Sequence, residues 1–375
     1  MAGIYIHIPF CRQACTYCNF HFSTVLGQKN ALLEALKQEI ILTQPMVPDE
    51  TIETIYFGGG TPSLLLPQEI DGMIKTIQQK FKISPAIEIT LEANPDDVSA
   101  ATLESWKKIN INRLSLGVQS FNEAELKWMN RAHNAGQSLQ SIDDIVTADF
   151  TNFSVDLIYG SPLLSNDDFI NNVKIVLNKN IPHISAYALT VEPKTALHSL
   201  IRQKKSANID EGRQAEQFHI LLQMLEGAGY EQYEISSFAR PGFRSRHNSS
   251  YWQGKPYYGF GPSAHSFDGN TKRRWNIANN ALYQKSIENK LLPFEEETLT
   301  PTQQLNEYIM IRLRTLEGID LRMVEDRFGQ DKVDSINSLA ETFISQQLLT
   351  NHHQHLVLTK KGKFLADGIA GDLFF

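Results

Sequence analysis

Residues 3–18 read GIYIHIPFCRQACTYC, a strand-like apolar run that breaks into Cys11, Cys15 and Cys18. These three are the only cysteines in 375 residues, so all the thiol ligand capacity of the chain lies in one loop. The odd count and tight spacing do not make a disulfide framework, and no secretory signal is expected ahead of the run. Two metal readings stay open on spacing alone. Three thiolates can hold three irons of a four-iron cluster and leave the fourth iron to a small molecule. His21 follows Cys18 by three residues, so a Cys3His zinc set also has its ligands.

Outward from this run, strand-like and helix-like stretches alternate. Residues 51–59 (TIETIYFGG) precede the helical pattern of 66–81, and 86–94 (AIEITLEAN) precede 101–109. Residues 112–121 (NRLSLGVQSF) lead into 123–130, and 153–160 (FSVDLIYG) into 167–177. Residues 183–192 (HISAYALTVE) lead toward a longer helix at 210–229. Strand and helix alternating at this spacing predict a parallel sheet with right-handed crossovers. With the first strand there are about six such units, an α/β partial (β/α) barrel short of the eight of a closed one.

In such folds ligands sit at the carboxyl ends of the strands. Cys11 follows the first strand, Gly58-Gly59-Gly60-Thr61-Pro62 the second, Glu92 and Asn94 end the third, Gln119 follows the fourth, and Asp156 lies in the fifth. A glycine run alone is equally a tight turn, and Asp156 alone a structural carboxylate; their common location favours a site. Composition fits an enzyme-sized cytoplasmic protein. Hydrophobic residues make up 42%, and no apolar run is long enough to span a membrane. A net charge of −7 and a pI near 5.9 argue against nucleic acid as a partner.

The runs HIPFCRQACTYC, FGGGTPS, LEANPDD, RLSLGVQSF and VDLIYG, in this order, resemble the radical S-adenosylmethionine superfamily, and within it the oxygen-independent coproporphyrinogen oxidase group. The likeness covers roughly residues 1–270. It implies a [4Fe-4S] cluster on Cys11, Cys15 and Cys18, whose open iron chelates S-adenosylmethionine. It also implies contacts to that cofactor from Tyr5, Gly59 and Glu92. Gly60, Thr61, Gln119, Arg131 and Asp156 match positions for a second S-adenosylmethionine, and Tyr17 a position where an aromatic residue packs.

One position departs from the oxidases. Their pattern has a fourth cysteine two residues after the third, where this chain has Phe20 in CNFHF. The CxxxCxxCxF form resembles the heme chaperone branch of the group. Residues 247–252 (HNSSYW) match the HNxxYW pattern of that branch. The resemblance implies heme ligation by His247, flat faces from Tyr251 and Trp252, and propionate contacts from Arg244, Arg246, Lys272, Arg273 and Arg274. His265 is a weaker second ligand, and His352, His353 and His355 receive no role. The implied activity is transfer of heme to apo-haemoproteins of the respiratory chain. Transient contact at the cytoplasmic membrane and a homodimer with the heme between two subunits stay open, with no sequence signature for either. The alternative is oxidative decarboxylation of coproporphyrinogen.

The character of the chain changes near residue 293. Three helix-like stretches and a β ribbon predict a small α+β, winged-helix-like domain. The expected division is 1–230 for the barrel with its iron–sulfur loop, 231–295 for a heme-binding extension, and 296–375 for a lid over the barrel mouth or a partner-docking unit.

Overall fold

The computed structural model describes residues 2–46 and 50–375. Six strands run parallel in chain order: β1 (Ala2–Ile8), β2 (Thr51–Gly59), β3 (Lys82–Ala93), β4 (Arg113–Gln119), β5 (Phe153–Tyr159) and β6 (His183–Ala188). Helices Lys29–Leu42, Pro67–Lys80, Ala100–Lys108, Ala135–Thr147 and Asn166–Asn178 cross between them, and Glu211–Gly227 follows β6. Local chemistry starts several of these helices. Ser99, Asn134 and Asp210 accept hydrogen bonds from backbone N–H groups of the first turn.

The alternation of the strands decides which way they face. Ile4, Ile6, Ile8, Phe57, Leu91, Leu114, Leu116 and Val155 are buried in one apolar core that also holds Leu36, Ile40, Ile74, Leu103 and Ile142 of the helices. Each such side chain contributes about 1.5–3 kcal/mol on burial. The opposite faces carry Tyr5, Thr54, Tyr56, Glu88, Glu92, Arg113, Ser115, Asp156 and Ser185, so the concave interior is polar. The sheet is curled. Five spacings separate β1 from β6, about 24 Å on a flat sheet, yet the Leu197 N–H beyond β6 donates to the Thr16 carbonyl in the cysteine loop at 2.7 Å.

The sheet continues past both ends of this barrel. β7 (Glu231–Glu234) and β8 (Ser237–Ala239) pair antiparallel beyond β6. At the other edge β9 (Tyr257–Phe260) lies parallel to β1, followed by β10 (His265–Phe267), β11 (Lys272–Asn276) and β12 (Phe294–Thr298), which completes a twelve-stranded sheet. Residues 231–298 thus extend the barrel's own sheet. Between β8 and β9 the short helix Arg246–Trp252 caps the amino-terminal end of the barrel.

The last unit has a separate core of Leu305, Ile309, Leu313, Ile336, Leu356 and Ile369, among others. Helices Pro301–Leu313, Leu321–Phe328 and Gln330–Ser345 pack with a small sheet of β13 (Ile319–Asp320), β14 (Leu349–His352) and β15 (His355–Leu358), a winged-helix-like arrangement. Thr300 caps its first helix, with Pro301 at the first position. The unit docks on the β7 edge through Leu316 N–H to the Tyr233 carbonyl, and on the Arg246–Trp252 helix through Arg314 over the Trp252 ring. None of its described residues lines the cysteine cavity. The expected lid is therefore not built over that mouth, because the edge strand it pairs with lies toward the amino-terminal end.

Candidate functional site

A cavity of about 420 Å³ opens at the carboxyl ends of the parallel strands. Cys11, Cys15, Tyr17, Cys18, Gly59, Gly60, Thr61, Glu92, Gln119, Arg131 and Asp156 all line it. The structure thus brings together eleven of the residues singled out in the sequence. Tyr5 lies just behind its wall, and His247 lies at the other end of the barrel.

The cysteine loop is tied at both ends. Cys11 N–H donates to the Ser23 carbonyl and Ser23 N–H to the Pro9 carbonyl, at 3.1 and 2.9 Å. Its middle is held by Thr16 N–H to the Met129 carbonyl at 3.0 Å. All three thiols are free. Burial raises the pKa of Cys11, and it pushes that of Cys18 up to about 11, so metal must displace their protons. Arg131 supplies a cation for the thiolates that result. Its Nη1 donates to Cys15 Sγ at 3.3 Å and to the Tyr17 hydroxyl at 3.4 Å, while Nη2 donates to Asn94 Oδ1 and the Gly117 carbonyl at 2.7 and 2.8 Å. Among the described residues no three His, Cys, Asp or Glu side chains converge on a single ion. The His21 ring is turned to Asn280 Oδ1, 2.8 Å from Nε2, away from a Cys3His zinc set. Three free thiols on one cavity wall beside the half-buried Arg131 cation fit an iron–sulfur cluster better than zinc.

The glycine run sits where side chains have no room. A Cβ on Gly60 would lie 2.6 Å from the Phe10 carbonyl oxygen and 2.7 Å from that of Ile8. Gly60 N–H donates to Ile8 and Thr61 N–H to Phe10, which pins the run onto the strand that carries the cysteines. Gly59 has φ +107°, open to glycine and strained for other residues. Its N–H donates to Glu92 Oε2 at 3.2 Å, and the Tyr56 hydroxyl donates to Oε1 at 2.8 Å. Burial pushes the Glu92 pKa up to about 7, aided by the Asp156 charge. Asp156 is raised to about 6 by burial, opposed by Ser185 and Arg113. Gln119 reaches the cavity from a register shift in β4 and has φ 68°.

Tyr5 stacks on Tyr56 with ring centroids 6.1 Å apart. Its hydroxyl donates to His7 Nδ1 at 3.2 Å, and His7 Nε2–H donates to the His21 carbonyl at 2.8 Å. Burial lowers the His7 pKa to about 4, so this relay is neutral. Tyr5 therefore supports the site without lining the cavity.

His247 is 1% exposed inside the amino-terminal cap. Nδ1 meets Thr54 Oγ1 at 2.7 Å, Nε2 meets the Tyr251 hydroxyl at 2.8 Å, and the ring stacks on Tyr56 at 5.0 Å. Its backbone N–H donates to Glu88. Burial and the Arg113 charge push its pKa down to about 3, so the imidazole is neutral. Both ring nitrogens already have partners.

Sequence reasoning missed Tyr187 and Ser115, both in the cavity wall. The alternation of HISAYA puts Tyr187 on the face of His183 and Ser185, and that signal was available. Tyr187 is 44% accessible because its ring faces the cavity. Of the basic residues matched to propionates, Arg244 pairs with Glu231 and Glu317, and Arg274 with Glu296.

Comparisons with known proteins agree with this geometry. Residues 5–176 match the Radical SAM superfamily, and residues 299–365 match the HemN C-terminal domain. The chain is similar to the heme chaperone HemW of Bacillus subtilis, 32% identical over 99% of this chain and 98% of the relative. It is also similar to the HemW of Mycobacterium tuberculosis, at 33% over 99% and 94%, and to that of Escherichia coli, at 29% over 98% and 96%. Among solved structures, the radical SAM coproporphyrinogen III oxidase HemN of Escherichia coli superposes with a TM-score of 0.86 over 100% of this chain and 90% of that one, at 22% identity. That likeness carries the fold. The identity to the chaperones, sustained along nearly the whole of both sequences, carries more: the chain belongs to the HemW family of radical SAM proteins.

Proposed function

We propose that this protein is a heme chaperone that carries a [4Fe-4S] cluster with S-adenosylmethionine, binds heme, and passes it to apo-haemoproteins of the respiratory chain. One observation carries the cofactor part: three free thiols, a half-buried arginine and a side-chain-free glycine run share one cavity wall. Cys11, Cys15 and Cys18 would hold the cluster. When bound, it offers an open iron to the amino and carboxylate groups of S-adenosylmethionine and an electron to its sulfonium. Glu92 receives the ammonium or a ribose hydroxyl, and Gly59 and Gly60 let the chain approach closely. Gln119, Arg131, Thr61 and Asp156 line the space for a second molecule. Tyr5 and Tyr17 hold Glu92's partner Tyr56 and Arg131 in place.

His247 is the proposed heme ligand. A neutral imidazole is the form that iron takes, and Nε2 becomes available when the Tyr251 hydroxyl moves off it. Binding heme there requires the Arg246–Trp252 helix to loosen. The protein would act in the cytoplasm, with transient contact at the membrane where its recipients lie. Among the described residues no helix is long and apolar enough to cross a membrane.

The test is transfer. Chain reconstituted anaerobically and loaded with heme is mixed with a purified apo-haemoprotein, and the Soret band is followed with S-adenosylmethionine present. Movement of heme to the recipient is expected. Heme that stays put, together with carbon dioxide released from coproporphyrinogen and 5′-deoxyadenosine and methionine released from S-adenosylmethionine, would replace the chaperone by a decarboxylase.

A further inference from the structure

A guanidinium without an ion pair among the described residues lies below the floor of the cysteine cavity. Arg113 stands on β4 two residues before Ser115 of the cavity wall, and it is 1% exposed. Its Nε and Nη2 have no hydrogen-bond partner, and among the described residues no carboxylate pairs with it. Arginines buried this deeply are nearly always paired, because an unneutralised charge in the interior is costly. Its register partner on β3 is Thr90, fully buried, whose Oγ1 is also without a partner. His183 of β6, fully buried as well, has an unpartnered Nδ1, while its Nε2 meets the Tyr233 hydroxyl at 2.8 Å.

The nearby carboxylates are engaged elsewhere. Glu88 accepts from the backbone N–H groups of Arg246 and His247, Glu92 from Tyr56 and Gly59, and Asp156 from Ser115. Arg113 shares the inward face of β4 with Ser115, in register with Thr90 of β3, and its charge bears on Tyr56 of β2, Asp156 of β5, His183 of β6, Tyr233 of β7 and His247 of the capping helix.

A guanidinium has only donors, so whatever satisfies it must accept hydrogen bonds. Water and an anion both meet that need, and an anion also sets an opposite charge directly against the guanidinium, which Asp156, acting from beyond ion-pair distance, does not. We infer that the barrel interior binds one small monovalent anion, of chloride size, at Arg113, with the Thr90 hydroxyl and the Nδ1–H tautomer of His183 completing its shell. The site is separate from the cysteine cavity and does not rest on the chaperone reading. An ion there balances the charge that otherwise acts on Asp156 and His247, the two ends of the barrel interior.

The test uses the full chain. Crystals grown with bromide in place of chloride should show an anomalous peak in contact with the Arg113 guanidinium. Thermal unfolding should shift up by a few degrees in chloride relative to gluconate at equal ionic strength, because an ion held only by the folded state stabilises it. The shift should vanish in Arg113→Met and shrink in Thr90→Val. If Arg113→Met does not fold, the wild-type map and the wild-type salt comparison decide. A map without bromide at Arg113, or equal unfolding temperatures in the two salts, overturns the assignment and leaves the guanidinium to water.

Discussion

Replacing His247 by glutamine should change how stability depends on pH. In the folded chain the imidazole is neutral down to about pH 3, against an ordinary value of 6.5. The unfolded chain therefore binds a proton between those limits that the folded chain refuses. The cost to the folded state is nearly absent at pH 7 and grows by roughly 1.4 kcal/mol per unit below 6.5, reaching about 2 kcal/mol at pH 5. His7, His133 and His183 are also held low by burial, so the wild type should lose more than this over the same range. Only the His247 share disappears in His247→Gln. The assay is urea unfolding of the metal-free, reduced protein at pH 7, 6 and 5. The variant should be the less stable at pH 7, having lost contacts to Thr54 and Tyr251, and the gap should close by about 2 kcal/mol by pH 5. Curves that stay parallel from pH 7 to 5 would refute the buried, neutral imidazole and the packed capping helix with it.

Gly60→Ala forces a Cβ against the Phe10 and Ile8 carbonyls, so it should break two backbone hydrogen bonds, cost about 2 kcal/mol in urea unfolding and lower the iron and sulfide retained after reconstitution. Unchanged stability and iron content would count against the pinned glycine run. Glu92 ionises near pH 7, so S-adenosylmethionine affinity by calorimetry should rise from pH 6 to 8, whereas Glu92→Gln should bind weakly and without that slope; a flat wild-type profile contradicts the assigned role. Arg131→Met removes the cation beside Cys15 and should weaken S-adenosylmethionine binding by about tenfold, near 1.4 kcal/mol. Wild-type affinity in that variant would make Arg131 purely structural. Removing residues 299–375 should spare iron content, because none of them lines the cavity, and weaken heme binding through the unsupported Trp252. Loss of iron instead would place the unit's influence at the cysteine end.

The cavity end of the molecule was legible because its signals are local. Cys11, Cys15 and Cys18 share one loop, Gly58–Gly60 follow one strand, and period-two alternation separates Leu114 and Leu116 from Arg113 and Ser115. The capping end was not, because its contacts are between distant segments. His247 meets Thr54 across 193 positions and its N–H meets Glu88 across 159. In the sequence, HNSSYW offers an open imidazole beside two flat faces; in the fold, the same residues close the barrel. β9 likewise pairs with β1 from the far side of the chain, which no local pattern announces. Arg113 reads as an ordinary strand-edge cation until the burial of its neighbours is known.

Whether this chain binds heme through His247 is tested most directly by heme titrated into anaerobically reconstituted protein, followed at the Soret band for wild type and His247→Ala. The account predicts saturable binding at a fixed ratio in the wild type and strong weakening in the variant. Equal binding in both would leave His247 as the structural pin of the barrel cap and move the iron ligand elsewhere. No saturable binding by the wild type would contradict the chaperone itself.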